Sequence, residues 1–135
     1  MTTIEKLQKL LEAERSRVIC LEQIAFLSPT KEINRLFSSM RNDASVACEA
    51  LHSMILDRGG YTTTEVSELA EKIMELDSMD AILDYLIRDE KDVIRQIEEI
   101  PPEELKQQEM EYVKSLWHQH TRAVENCGRL LRGGR

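Results

Sequence analysis

The chain has 135 residues, of which 41% are hydrophobic, 32% charged and 4% aromatic, and its net charge is −7. This length suits one domain with a real core, while the acidic balance excludes the basic surface through which proteins bind nucleic acid or anionic lipid. No apolar run approaches the roughly 18 residues of a membrane span, and three widely spaced cysteines indicate reduced thiols, so we expect a cytoplasmic protein.

Apolar residues recur with helical spacing along most of the chain. Five glycines and three prolines are too few for the many turns of an all-β fold. We predict five helices, over 3–27, 29–57, 63–76, 78–99 and 102–131. Residues typical of helix ends lie between them: Ser28 and Pro29, Gly59 and Gly60, and Pro101 and Pro102.

The stretch 63–99 contains neither Gly nor Pro, and as one helix it would be about 55 Å long, against about 40 Å for its neighbours. We therefore place a break near Asp77 and Ser78, since either residue can cap a new helix, and start the third helix at the capping-box pair Thr62 and Glu65.

Two of the joins between helices are short, so the first helix runs antiparallel to the second and the fourth to the fifth. The connection of roughly 20 residues between the second and fourth helices is long enough to cross the bundle lengthwise. The prediction is an all-α, up-down-down-up four-helix bundle with a short extra crossover helix. It forms a single domain over 1–132 with a frayed tail at 133–135, and an up-down-up-down bundle is the alternative.

Four polar residues lie on helix faces that are otherwise apolar, which we call the apolar stripes. We therefore expect all four to face the core and to form one site. Glu14 and Asp43 lie at similar depth on either side of the first turn, and Asp89 and His120 are in phase with the stripes of their own helices. Three carboxylates and one histidine suit a metal such as Fe, Mn or Zn. Alternatively, Glu14 and Asp43 pair with neighbouring arginines and only set the helix register. The arginines within reach are Arg15, Arg17 and Arg41.

A second, weaker metal candidate is the pair Glu49 and His52, which share one face of the second helix and otherwise form a solvated polar strip. The sequence shows no nucleophile and base with catalytic spacing. Several apolar residues are left over from the stripes and favour a homodimer, since they cannot all face one four-helix core. They are Ile19, Ile24, Phe26, Ile55 and Leu56.

Three stretches resemble small bacterial ferritin-like proteins of uncharacterised function: LLEAERSRV (10–18), RNDASVACEALHSMILDRGG (41–60) and MDAILDYLIRDEKDVIRQIEEIPPE (79–103). The resemblance covers most of the chain and implies the ferritin-like bundle. Di-iron members place one carboxylate on each of two helices and Glu-x-x-His on each of the other two.

Several positions of this sequence depart from the di-iron pattern. Glu14 matches the glutamate of the first helix, and Asp43 lies at the depth of the first motif residue of the second. Val46 stands where the motif has histidine. In the last helix, Ser115 and Trp117 precede His118 and His120 at the position of the motif glutamate. The ligand set that the resemblance implies is therefore degenerate.

These observations favour a non-catalytic ferritin-like bundle without a cofactor, which acts by self-association or by binding a protein partner. The alternative is a metal-binding oxidoreductase or metal-storage protein, with a di-iron centre or a single Fe, Mn or Zn ion held by Glu14, Asp43, Asp89 and His120.

Overall fold

The computed structural model describes residues 1–133, and helices make up most of that range, without a strand. The helices are α1 (Thr3–Ala25), α2 (Lys31–Asp57), α3 (Leu69–Met74), α4 (Met79–Glu98) and α5 (Gln107–Leu131), with a 3-10 turn at Pro102–Glu104. The all-α prediction is confirmed. None of the helices in this range is both long enough and apolar enough to cross a membrane. Gly134 and Arg135, in the predicted frayed tail, lie outside the described residues.

The packing of the core gives the direction of each long helix. One apolar half brings together the end of α1, the start of α2, the start of α4 and the end of α5. Its members include Leu21, Phe37, Leu83 and Cys127. The other half joins the opposite ends, including Leu7, Leu51, Ile97 and Val113. α2 and α4 are therefore parallel to each other and antiparallel to α1 and α5, which confirms the up-down-down-up topology.

The connection between α2 and α4 is mostly not helical, and the predicted helix over 63–76 is wrong in its first half. Residues 60–66 have no helical structure, and only Leu69–Met74 forms α3. The reason is length, because this connection must travel the full bundle, and the 27 residues of α2 rise about 40 Å. The 21 residues from Arg58 to Ser78 would advance only about 32 Å as one helix, so part of the connection is extended.

The predicted break between the third and fourth helices is confirmed. α3 ends at Met74, and the Ser78 hydroxyl accepts a hydrogen bond from the Ala81 amide at 3.1 Å to begin α4. The cap is Ser78, whereas the sequence allowed either Asp77 or Ser78 in this role. The extended backbone at Ser78 is typical of this position.

Two other helix starts differ from the sequence prediction. α2 begins at Lys31, because Thr30 accepts the Ile33 amide at 3.2 Å while the Ser28 hydroxyl donates to a carbonyl of α1 instead. α5 begins at Gln107, because the turn at Pro102–Glu104 intervenes. The Glu109 carboxylate then accepts the Lys106 amide at 2.9 Å.

Candidate functional site

A layer of charged side chains separates the two apolar halves of the core. It contains Glu14 and Arg17 from α1, Glu90 from α4 and His120 from α5, and none of the four is more than 5% exposed. A buried charge is costly unless it is paired and hydrogen-bonded. The partners of each charge therefore decide what this layer can do.

Arg17 lies at the centre of the charged layer. Its Nε donates to Glu90 Oε1 at 2.7 Å, Nη1 donates to Glu14 Oε1 at 3.1 Å, and Nη2 donates to the Asp89 carboxylate. Burial opposes the charge on the guanidinium, but Glu90, Asp89 and Glu14 outweigh this and raise the pKa of Arg17 above its ordinary value. Arg17 is thus a permanent cation held by three carboxylates.

His120 contacts two of the same carboxylates. Its Nδ1 is hydrogen-bonded to Glu90, and its Nε2 lies 2.8 Å from Glu14 Oε1 without an aligned hydrogen bond. A neutral imidazole would turn a lone pair towards one carboxylate, whereas imidazolium has a proton for each. Burial opposes this charge, but Glu90 and Glu14 outweigh it and raise the pKa of His120 to about 9.

The charges of the four buried side chains balance. Burial would raise the pKa of Glu90, but Arg17 and His120 outweigh it and lower that pKa below its ordinary value. With Glu14 and Glu90 as carboxylates and Arg17 and His120 as cations, the four charges sum to zero. This balance explains how a charged layer is accommodated between two apolar halves.

The two predicted aspartates lie at the edge of the layer rather than inside it. Asp89 is partly buried, with 22% of its side chain exposed, and contacts Arg17. Asp43 is exposed and lies at the rim of a small cavity of about 20 Å³, which Glu14, Glu90 and His120 also line. The cavity has room for about one water molecule. Of the four predicted ligands, Glu14 and His120 contact each other, and Asp89 joins them only through Arg17.

Arg17 and Glu90 were missing from the predicted metal site, although the sequence contains a signal for both. Arg17 was expected only in the alternative interpretation, as an ion-pair partner of Glu14, and the structure contains this pair. The buried stripe of α1 repeats with spacings of three and four, and Glu14 and Arg17 both fall on it. Its members are Leu7, Leu10, Glu14, Arg17, Leu21 and Ile24. Glu90 falls on the same kind of stripe in α4, with Leu83, Leu86, Val93 and Ile97. Asp89 was predicted from an overlapping stripe whose apolar members, such as Ile82 and Leu86, are buried, but Asp89 itself is only partly buried.

The weaker metal candidates do not come together with the layer. Glu49 and His52 are both exposed on α2, and His118 is exposed on α5. Within residues 1–133, no group of three or more His, Cys, Asp or Glu side chains has an arrangement that holds a metal ion.

The donor set does not fit the di-iron centre that the sequence resemblance implies. The guanidinium of Arg17 already bonds Glu14, Asp89 and Glu90, so their charge is partly neutralised by the chain itself. Val46, where the motif has histidine, is 59% exposed. A dication in this layer would meet a fixed positive charge instead of free carboxylates.

A separate groove lies where α1, α2 and the extended segment 60–68 meet. The segment is held against α1 by the Ser67 amide, which donates to the Ser16 hydroxyl at 2.6 Å, and by Arg15, which donates to the Thr63 carbonyl. The groove has a volume of about 450 Å³. It is lined by Val18, Ile19, Cys48 and Val66, with Ser45, Thr64 and Arg15. One charged side chain among seven is few for a chain of this composition.

The predicted leftover apolar residues divide into two groups. Ile24 and Ile55 are fully buried in the bundle, so the expectation that they remain unpacked is wrong. Ile19, Phe26 and Leu56 are exposed, at 39%, 91% and 49%. Burial of the first two follows from their position on the inward stripes of α1 and α2.

The model of a family described as a domain of unknown function (DUF6306) matches residues 2–129, so the chain belongs to that family. Among solved structures, the chain is similar to a crystal structure of ferritin like, diiron-carboxylate proteins from Bacillus anthracis str. Ames. The identity is 21% and the TM-score 0.81, over 96% of this chain and 94% of that one. This similarity confirms the ferritin-like fold. No curated protein matches the chain.

Proposed function

We propose that this member of the DUF6306 family is a ferritin-like bundle that needs no metal and acts by self-association. The interface of this proposal is the groove between α1, α2 and segment 60–68, and a second copy of the chain is the partner. The observation that carries it is the low charge of the groove on a chain that is 32% charged. Interface cores are depleted of charged residues in the same way.

The cysteines support a role without catalysis. Cys48 lines the groove, but burial raises the pKa of its thiol to about 11, and burial raises the pKa of both Cys20 and Cys127 to about 12. A nucleophilic cysteine needs the opposite shift, because the thiolate is the reactive form. The groove is therefore suited to packing rather than to thiol chemistry.

The geometry of the groove also suits a symmetric dimer. Ile19 and Val66 line it and remain 39% and 48% exposed, so they are free to pack against another chain. A two-fold interface uses the same patch on both copies, so one apolar groove is sufficient for both sides.

The test is sedimentation velocity of the full chain over a range of concentrations. We expect a dimer whose dissociation constant rises about tenfold in Ile19→Ser and in Val66→Ser, because each removes an apolar side chain from the interface. Phe26→Ser is the matched control, since Phe26 is exposed and apolar but does not line the groove. A monomer at every concentration, or an equal effect of the control, would overturn the proposal.

A second candidate function is the binding of a single metal ion. Iron is a candidate because the similar solved structure is of diiron-carboxylate proteins. The observation in its favour is His120 Nε2, which is buried without an aligned hydrogen bond and lies beside Glu14 at the small cavity. Elemental analysis of chain purified without an affinity tag distinguishes the two functions. Close to one Fe, Mn or Zn per chain supports metal binding, and only traces support the metal-independent bundle.

A further inference from the structure

We propose that Arg17 is a built-in cation that keeps divalent metals out of the charged layer. Removal of its guanidinium is expected to create a site for one divalent transition-metal ion, formed by Glu14, Asp89, Glu90 and His120. This inference rests on the proposed function, because it takes the native chain to be free of a bound metal.

The first argument is the convergence of the acids. Three carboxylates from two helices bond different nitrogens of one guanidinium, which places their oxygens around a single small volume. His120, from a third helix, contacts two of those carboxylates. Carboxylate and imidazole donors suit Mn, Fe and Zn. The cation at the centre is the part of the arrangement that differs from a metal site.

The second argument is charge. Glu14, Asp89 and Glu90 are three carboxylates, and the guanidinium of Arg17 is the cation that all three of them contact. Its removal leaves the three carboxylates without that cation, and one divalent ion can take its place, bound by the carboxylates and by neutral His120, since a histidine must be neutral to bind a metal. With Arg17 present, the same ion would lie beside a fixed positive charge between two apolar halves, where charges are poorly screened.

The third argument is access. The cavity of about 20 Å³ touches Arg17, Glu14, Glu90 and His120, and the exposed Asp43 lies at its rim. Truncation of Arg17 enlarges this cavity from within. An ion from solvent then passes a carboxylate at the rim before it reaches the buried donors.

The experiment compares Mn²⁺ binding to the native chain with binding to Arg17→Ala and Arg17→His. Mn²⁺ is the probe because it prefers oxygen and imidazole ligands over the three thiols of this chain. Isothermal titration calorimetry measures affinity and stoichiometry, and electron paramagnetic resonance counts free Mn²⁺. We expect one bound ion per chain in both variants and none in the native chain.

Three controls separate charge, space and ligation. Arg17→Lys keeps the positive charge and is expected to bind no Mn²⁺. Arg41→Ala removes the arginine of a surface pair with Glu22, 2.6 Å apart, and is expected to behave as the native chain does. Glu90→Gln combined with Arg17→Ala is expected to weaken Mn²⁺ binding at least about tenfold, because it replaces a carboxylate ligand with a neutral amide.

Folding of Arg17→Ala is followed by circular dichroism with and without Mn²⁺, because removal of one partner leaves buried charges uncompensated. An unfolded variant that folds when Mn²⁺ is added supports the proposal. Failure of both Arg17→Ala and Arg17→His to bind Mn²⁺, folded or not, overturns it and leaves the proposed self-association untouched. Stoichiometric binding by the native chain would instead contradict the metal-independent bundle.

Discussion

The stability of the charged layer is expected to depend on the protonation of His120 at alkaline pH. The pKa of His120 is raised from 6.5 to about 9 in the folded chain by Glu90 and Glu14, which outweigh its burial. Each pH unit between the two values is worth about 1.4 kcal/mol, so imidazolium contributes about 3 kcal/mol to the free energy of unfolding. Because the folded pKa is the higher one, this contribution is complete below pH 6.5 and is lost as the pH rises through about 9.

Urea unfolding of the native chain and of His120→Gln, at a series of pH values from 6 to 9, measures this contribution. Glutamine cannot gain or lose a proton in this range, so we expect its free energy of unfolding to change much less with pH. His118→Gln is the matched control, because His118 lies two residues away and is exposed. We expect the control to keep the full alkaline loss of about 3 kcal/mol.

Two results would refute this reasoning. The first is a native free energy of unfolding that stays constant between pH 6 and pH 9. The second is an equal alkaline loss in His120→Gln, which would assign the titration to another group. A direct check is the pH titration of the His120 ring by nuclear magnetic resonance, where a midpoint near 6.5 would also contradict the raised pKa.

Three further predictions concern the crossover and the core. Ser78→Ala removes the cap of α4 and is expected to lower the free energy of unfolding by about 1 kcal/mol in urea titrations. Asp77→Ala is the control and is expected to change it by less than about 0.5 kcal/mol, so equal losses would contradict the assignment of Ser78 as the cap. Gly60→Ala places a methyl group 3.0 Å from Cγ2 of Ile55 and costs about 1–3 kcal/mol, so an unchanged thermal midpoint would argue against the close approach. Phe37→Ala empties a fully buried position and costs about 3–5 kcal/mol, and a loss below about 1 kcal/mol would show poor packing there.

Most of the fold was predictable from the sequence because its signals are local. Apolar spacing indicates the four long helices, and the residues around Ser78 indicate the break before α4. The extended segment 60–68 was not predictable in the same way. Its sequence has a helix-start signal at Thr62 and Glu65. However, α2 and α4 are parallel, so the connection between them must cover the length of the bundle, and a helix would be too short to do so.

The site was predictable only in part, because its members depend on helix phase and on contacts between helices. Glu14 and His120 follow from the stripes of single helices. Asp89 and Glu90 are neighbours that fit two adjacent phases of α4, and only packing shows that Glu90 is the buried one. The central place of Arg17 depends on α4, because two of its three carboxylate partners lie on that helix.

Arg17 is a side chain of the protein, whereas a bound metal is a separate ligand. This difference decides whether the stability of the fold depends on the concentration of a second component. A bound metal stabilises a fold by an amount that grows with the logarithm of its free concentration, so dilution or chelation removes that stabilisation. The guanidinium of Arg17 is covalently part of α1, so neither dilution nor a chelator can remove it. Its contacts with Glu14, Asp89 and Glu90 therefore contribute the same free energy in a metal-starved solution as in a metal-rich one.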